Sequence, residues 1–142
     1  LVGMDGLETS TEYSYLAPVI MRCALEAGAL ELASRLVARI ERNTPLRQRS
    51  AETGEALLAE ARGQHVEAAR RFGAVAADWQ AFGCRFEQAY ALLGQGRSLA
   101  AAGETGFEAP LRVAREMFEQ MGMRPRVDEC DVLVAAVGEV SS

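Results

Sequence analysis

The sequence predicts an all-α fold, with about seven helices in antiparallel hairpins stacked as a short α-solenoid. Three observations predict it. Alanine, leucine, glutamate and arginine dominate the 142 residues, and all four favour helix. Apolar residues recur at steps of three and four: Val66, Ala69, Phe72, Val75, Ala76, Trp79 and Phe82 share a face that Arg70, Arg71 and Asp78 avoid. Glycines at 28, 63, 83, 103 and 122 each close such a run, as expected of residues that end helices in the left-handed conformation.

Each element follows from this punctuation. The helices are expected at 15–27, 30–42, 45–62, 66–82, 85–102, 108–121 and 125–138. Pro18 favours a start for the first helix at Ser14 or Tyr15, because a helix running from Thr11 would carry the proline in its interior. Asn43, Thr44 and Pro45 supply a stop, an N-cap and a first-turn proline. Pro110 and Pro125 fit the opening turns of the last two helices. Residues 1–10 read as a flexible N-terminal segment, and 11–142 as one domain of three hairpins plus a C-terminal helix. The opening Leu1-Val2-Gly3-Met4-Asp5-Gly6 does not resemble an initiation site, so the expectation is a piece of a larger protein.

The three hairpins repeat one another. Ala24-Leu25-Glu26-Ala27-Gly28 leads into Leu30-Glu31-Leu32-Ala33. Leu58-Ala59-Glu60-Ala61-Arg62-Gly63 leads into Val66-Glu67-Ala68-Ala69. Leu99-Ala100-Ala101-Ala102-Gly103 leads into Phe107-Glu108-Ala109. The turn glycines lie 35 and then 40 residues apart, a period that indicates stacked helix pairs. On these residues the chain resembles a divergent tetratricopeptide repeat array. Ala56 and Gly96 match the small position of the first helix, and Gly63 and Gly103 match the turn. Ala68 and, after a one-residue insertion, Ala109 match the opening alanine; Phe72 and Val113 match the residue one turn later. The likeness is best over 46–122. The 40-residue interval, the lack of a proline after Phe82 and the unconvincing first-helix tryptophan and tyrosine depart from the family pattern.

The segments 89–97 and 114–122 are similar to the C-terminal repeat regions of bacterial LuxR-type regulators and cyclase-associated signalling ATPases. That resemblance implies a cytoplasmic sensor or interaction arm without the ATPase itself, since no Walker motif is present. Repeat geometry of this kind implies a concave groove lined by first helices, bearing Tyr15, Arg22, Glu26, Thr53, Glu60, Tyr90 and Arg97. A surface of tyrosines and charges suits a peptide or protein partner.

The remaining residues bound the alternatives. A formal net charge of -5 and pI near 5.0 disfavour nucleic acid and anionic membranes as direct partners. Cys23, Cys84 and Cys130 are odd in number and far apart, which reads as reduced thiols rather than disulfides. His65 is the only histidine and has no metal-ligand spacing around it, so neither a metal nor another cofactor is expected. The run Gly94-Gln95-Gly96-Arg97-Ser98 lacks the third glycine and preceding strand of a phosphate loop, and reads as small residues at a helix contact. The acids Glu52, Glu55, Glu60, Glu116, Glu119, Asp128, Glu129 and Asp131 read as solvated helix faces, and the phenylalanines and Trp79 as core. The stripe Val127, Cys130, Val134 and Val137, with further apolar surface on other sides at Val132, Leu133, Ala135, Ala136 and Val140, suggests self-association through the last helix. A non-enzymatic interaction scaffold is the leading expectation; a helical receptor for a small ligand is the alternative, which would require polar groups converging in a closed cavity.

Overall fold

The computed structural model describes the backbone of residues 11–141 and the side chains of residues 17–136, so the expected N-terminal segment 1–10 lies outside the described residues. Seven helices and no strand are present among these residues: α1 Thr11–Glu26, α2 Leu30–Arg39, α3 Pro45–Ala61, α4 His65–Phe82, α5 Arg85–Ala101, α6 Glu108–Gln120 and α7 Arg124–Ser141. The fold is therefore all-α, with chain-adjacent helices packed on one another within α1–α3 and within α4–α7. The contacts group into two compact units, Leu1–Gln64 and His65–Ser142, where the sequence suggests one domain over 11–142; the Gly63 turn lies at the junction.

The glycine punctuation has one repeated geometry. At the end of α3, the Gln64 N–H donates to the Ala59 carbonyl (2.9 Å) and the Gly63 N–H to Glu60 (3.0 Å). This double bond pattern satisfies carbonyls that the helix leaves open, and it requires the left-handed φ of +78° that Gly63 adopts. The same pair of bonds recurs at Gly28, Gly83, Gly103 and Gly122. Thr44 caps α3 by accepting from the Arg47 N–H at 3.2 Å, with Pro45 as first helical residue.

In the first unit α1 packs against both α2 and α3, and α2 against α3. Met21, Leu36, Val37 and Ala51 lie in its core. Gly54 marks the tightest approach: a Cβ there would fall 2.2 Å from Met21 Cε and 2.7 Å from Val37 Cγ2. Two expectations are corrected here. Helix α1 begins at Thr11, so Pro18 is interior and cannot donate to the Ser14 carbonyl; its ring is buried instead. Helix α2 stops at Arg39 rather than 42, because Ile40 turns extended (φ −72°, ψ 121°) while burying its side chain.

The second unit is an antiparallel succession. Gly94 lies against Phe72 and Gly73 against Gln95, so α4 and α5 pair around the Gly83 turn. Gly96 lies against Leu111 across the α5–α6 turn, and Arg115 reaches Asp131 across the α6–α7 turn. Gly94 and Gly96 are thus contact residues between helices, as their lack of a phosphate-loop context suggests. Phe72, Trp79, Leu93, Leu111, Phe118, Val127 and Cys130 fill the interior. Phe82 and Phe86, expected in the core, are 41% and 39% exposed, and they flank the Gly83 turn at the connected end of the hairpin.

The buried positions also correct the repeat register. In α4 they are Ala68, Ala69, Phe72, Val75 and Ala76, with Trp79 beyond them; in α6 they are Pro110, Leu111, Ala114, Met117 and Phe118. The two sets superpose at a spacing of 42 residues, which places a two-residue insertion after Gly103. Ala109 and Val113 are consequently exposed, and Pro110 and Ala114 take the places expected for them. The extra length is taken up before Glu108 by a loop with a second left-handed glycine, Gly106 (φ +86°).

Candidate binding surface

The expected groove residues fall into two groups. The Tyr15 side chain lies outside the described residues. Arg22 and Glu60 are half-buried and Glu26 exposed in the first unit. Thr53 is only 2% exposed, and its hydroxyl donates to the Arg49 carbonyl at 2.8 Å, so it presents nothing to a partner. Tyr90 and Arg97 belong to the second unit, seven residues apart on α5. Two helical turns bring both to the same side, and the structure links them through α7.

That link is a continuous strip. The Phe86 and Tyr90 rings lie 4.9 Å apart between centroids. Tyr90 also meets the buried Phe118 ring edge-on at 5.1 Å, which holds its body in place. Arg126 Nε donates to the Tyr90 hydroxyl at 3.2 Å, with the guanidinium carbon 5.5 Å from the ring centroid. Arg126 Nη1 then donates to Glu129 Oε1 at 2.8 Å, and Arg97 Nη1 donates to Glu129 Oε2 at 3.0 Å. The two arginine side chains are 34% and 31% exposed, and Glu129 is 28% exposed. The hydrogen bond to Glu129 is the main influence raising the Arg126 pKa, so the cation is permanent.

Glu129 is therefore not the solvated acid expected of a helix face; it bridges α5 to α7. Arg126 and Phe86 belong to the strip as well, although the sequence does not mark them as binding residues. The only sequence signal for the strip is the seven-residue spacing of Tyr90 and Arg97, because their partners lie 36 and 32 residues away in the chain.

A second concavity of about 300 Å³ lies between α6 and α7, with Leu111, Cys130 and Val134 along it and Glu108, Arg112, Arg115 and Asp131 at its sides. Arg115 there donates to Asp131 at 2.6 Å and Glu119 at 3.0 Å. Burial, with Glu129 and Asp131 adding to it, pushes the Cys130 thiol up to about 11. It is a protonated core thiol at neutral pH, not a nucleophile. His65 opens α4, and among the described residues no group of three His, Cys, Asp or Glu side chains is placed to hold a metal. No described helix is long and apolar enough to cross a membrane. No family model matches the chain, and neither a curated protein nor a solved structure does.

Proposed function

We propose that the chain is a protein-interaction module of the tetratricopeptide-like kind, binding a peptide or protein segment on the α5–α7 face of its second unit. The observation that carries this reading is the strip Phe86–Tyr90–Arg126–Glu129–Arg97. Aromatic and arginine side chains are the groups that most often anchor interfaces, and here they are contiguous, partly exposed and held by neighbours. The sequence resemblance supports a wider setting, as the cytoplasmic interaction or sensor arm of a bacterial signalling or transcriptional regulator. Val134 (37% exposed), a stripe residue on α7 that remains exposed, supports self-association through that helix as an additional contact. The small-ligand receptor reading has less support, since the α6–α7 concavity is a surface cleft whose arginines already pair with its acids.

Selection of a displayed peptide library on the immobilised chain tests the reading. Selected peptides are expected to lose binding to Phe86→Ala and Arg97→Ala variants whose helicity by circular dichroism is unchanged. Retention at wild-type levels by both variants overturns the assignment of this face.

A further inference from the structure

We infer that the outer face of α7 is a second docking surface, separate from the α5–α7 strip, and that it seats an amphipathic helix of a partner chain in the way α5 seats α6. The template for this contact lies inside the second unit. The turns at Gly83 and Gly122 are 39 residues apart, and so are the first residues of the helices that follow them, Arg85 of α5 and Arg124 of α7. At that spacing Ala89, Leu93 and Gly96 of α5 correspond to Asp128, Val132 and Ala135 of α7. The three α5 residues are buried, and Leu93 is only 1% exposed. Helix α6 covers them: Ala89 and Leu93 share a core cluster with Leu111 and Ala114, and a Cβ on Gly96 would fall 2.5 Å from Leu111 Cδ2. Their three counterparts on α7 are exposed, Val132 at 65%. Steps of four and three residues put them on one stripe, which points away from the Val127 and Cys130 side that packs into the unit. The last helix of a stack ordinarily turns a polar face outward; this one turns out valine and alanine, with Ala136 also exposed.

The template also defines what fits. Helix α6 presents Leu111 to the smallest residue of the stripe, with Ala114 and Phe118 further along the same face. Phe118 meets the Tyr90 end of α5. The matching end of α7 carries Asp128, paired with Arg124 at 3.4 Å, where α5 has Ala89. A seated helix therefore repeats the leucine and alanine three residues apart but carries a polar residue in place of the phenylalanine, because an aromatic ring there would strip water from a carboxylate. It also borders the α6–α7 cleft, which Ala135 lines together with Leu111 and Val134. A second copy is the poorer occupant: two α7 stripes face to face offer only their own valine and alanines, and they bring together two chains of net charge -5.

Fluorescence anisotropy tests this with the whole chain and a labelled synthetic peptide of residues 104–121, the α6 sequence itself. The peptide carries Phe118→Gln and a side-chain staple joining positions 112 and 116, both exposed in α6. It is expected to bind wild type and to lose about tenfold in affinity when Leu111→Asp is added to it, because a buried carboxylate then faces alanine. The same loss of about tenfold is expected against chains carrying Val132→Asp or Ala135→Glu, while Phe86→Ala leaves the affinity unchanged. Absence of binding to wild type, or equal binding to wild type, Val132→Asp and Ala135→Glu, overturns this surface. Either result leaves the strip standing, since that reading is measured through Phe86 and Arg97. Loss of the peptide with Phe86→Ala but not with Val132→Asp places it on the strip and overturns the α7 seat. Sedimentation equilibrium separates the other occupant: a wild-type dimer that Val132→Asp dissociates shows a second copy in the seat and overturns the partner helix. Circular dichroism and Trp79 emission on each variant establish that the second unit is folded.

Discussion

Two glycines on opposite sides of one helix contact should respond to alanine with opposite signs. Gly73 and Gly94 both lie inside helices, where alanine is favoured by about 1 kcal/mol over glycine. At Gly94 that gain meets a wall. The added methyl carbon would sit 2.7 Å from Phe72 Cε1 and Cζ and 2.8 Å from Cδ1, roughly 1 Å inside normal carbon contact. Phe72 is 1% exposed and has nowhere to move. Overpacking of this kind costs about 1–3 kcal/mol, so Gly94→Ala should destabilise the second unit by about 1 kcal/mol net. At Gly73 the nearest atom is Gln95 Nε2 at 2.9 Å, the free-swinging end of a half-buried side chain. Gly73→Ala should keep most of its helical gain and stabilise by up to about 1 kcal/mol. The two variants then differ by about 2 kcal/mol, or about 30-fold in the folded-to-unfolded ratio. Urea unfolding followed by Trp79 emission measures this in the right place, because Trp79 is the sole tryptophan and is buried in α4. A Gly94→Ala variant as stable as Gly73→Ala would refute the close packing of α4 on α5.

Two further outcomes concern stability. Thr44→Ala removes the acceptor for the Arg47 N–H and should cost about 1 kcal/mol, read as a lower urea midpoint at 222 nm. Alkaline pH should weaken the second unit through Cys130: the folded thiol holds its proton up to about 11, whereas the unfolded chain gives it up nearer 9. The stability it contributes is whole below pH 9 and falls away between pH 9 and 11, by about 2–3 kcal/mol in total. The 15 cations are all arginine, so no lysine titration overlaps this window. Urea midpoints at pH 8 and 10.5 should diverge in wild type and converge in Cys130→Ala, and a thiol reagent should label exposed Cys23 at once but Cys130 only on unfolding.

The helices were legible because their ends are written locally. Five of the stops are a single glycine whose left-handed φ closes two backbone bonds, while α2 ends without one at Ile40, and the Thr44-Pro45 start uses side chain and ring constraints within four residues. Pro18 misled because its cost is local but its compensation, a buried ring, is tertiary. The register of α6 differs by one residue from the expected match because the loop before it absorbs two extra residues through Gly106, and loop length does not show in the helical pattern itself. The binding strip was half legible. Tyr90 and Arg97 share a helix face by arithmetic, but Arg126 and Glu129 join them only after α7 has folded back. Thr53 failed as a groove residue because its hydroxyl finds the backbone four residues earlier, a choice open to any helical threonine.

The register of the second unit has a kinetic consequence. Every successive helix pair closes around its own short turn, so contact order is low and little loop-closure entropy opposes each step. The α5–α7 strip is different, since its polar links skip α6 entirely. It can be assembled only once α6 and α7 are both seated. A ligand gripping it would therefore hold three helices together at once, and would raise the unfolding temperature of the whole unit by mass action rather than stiffen one hairpin.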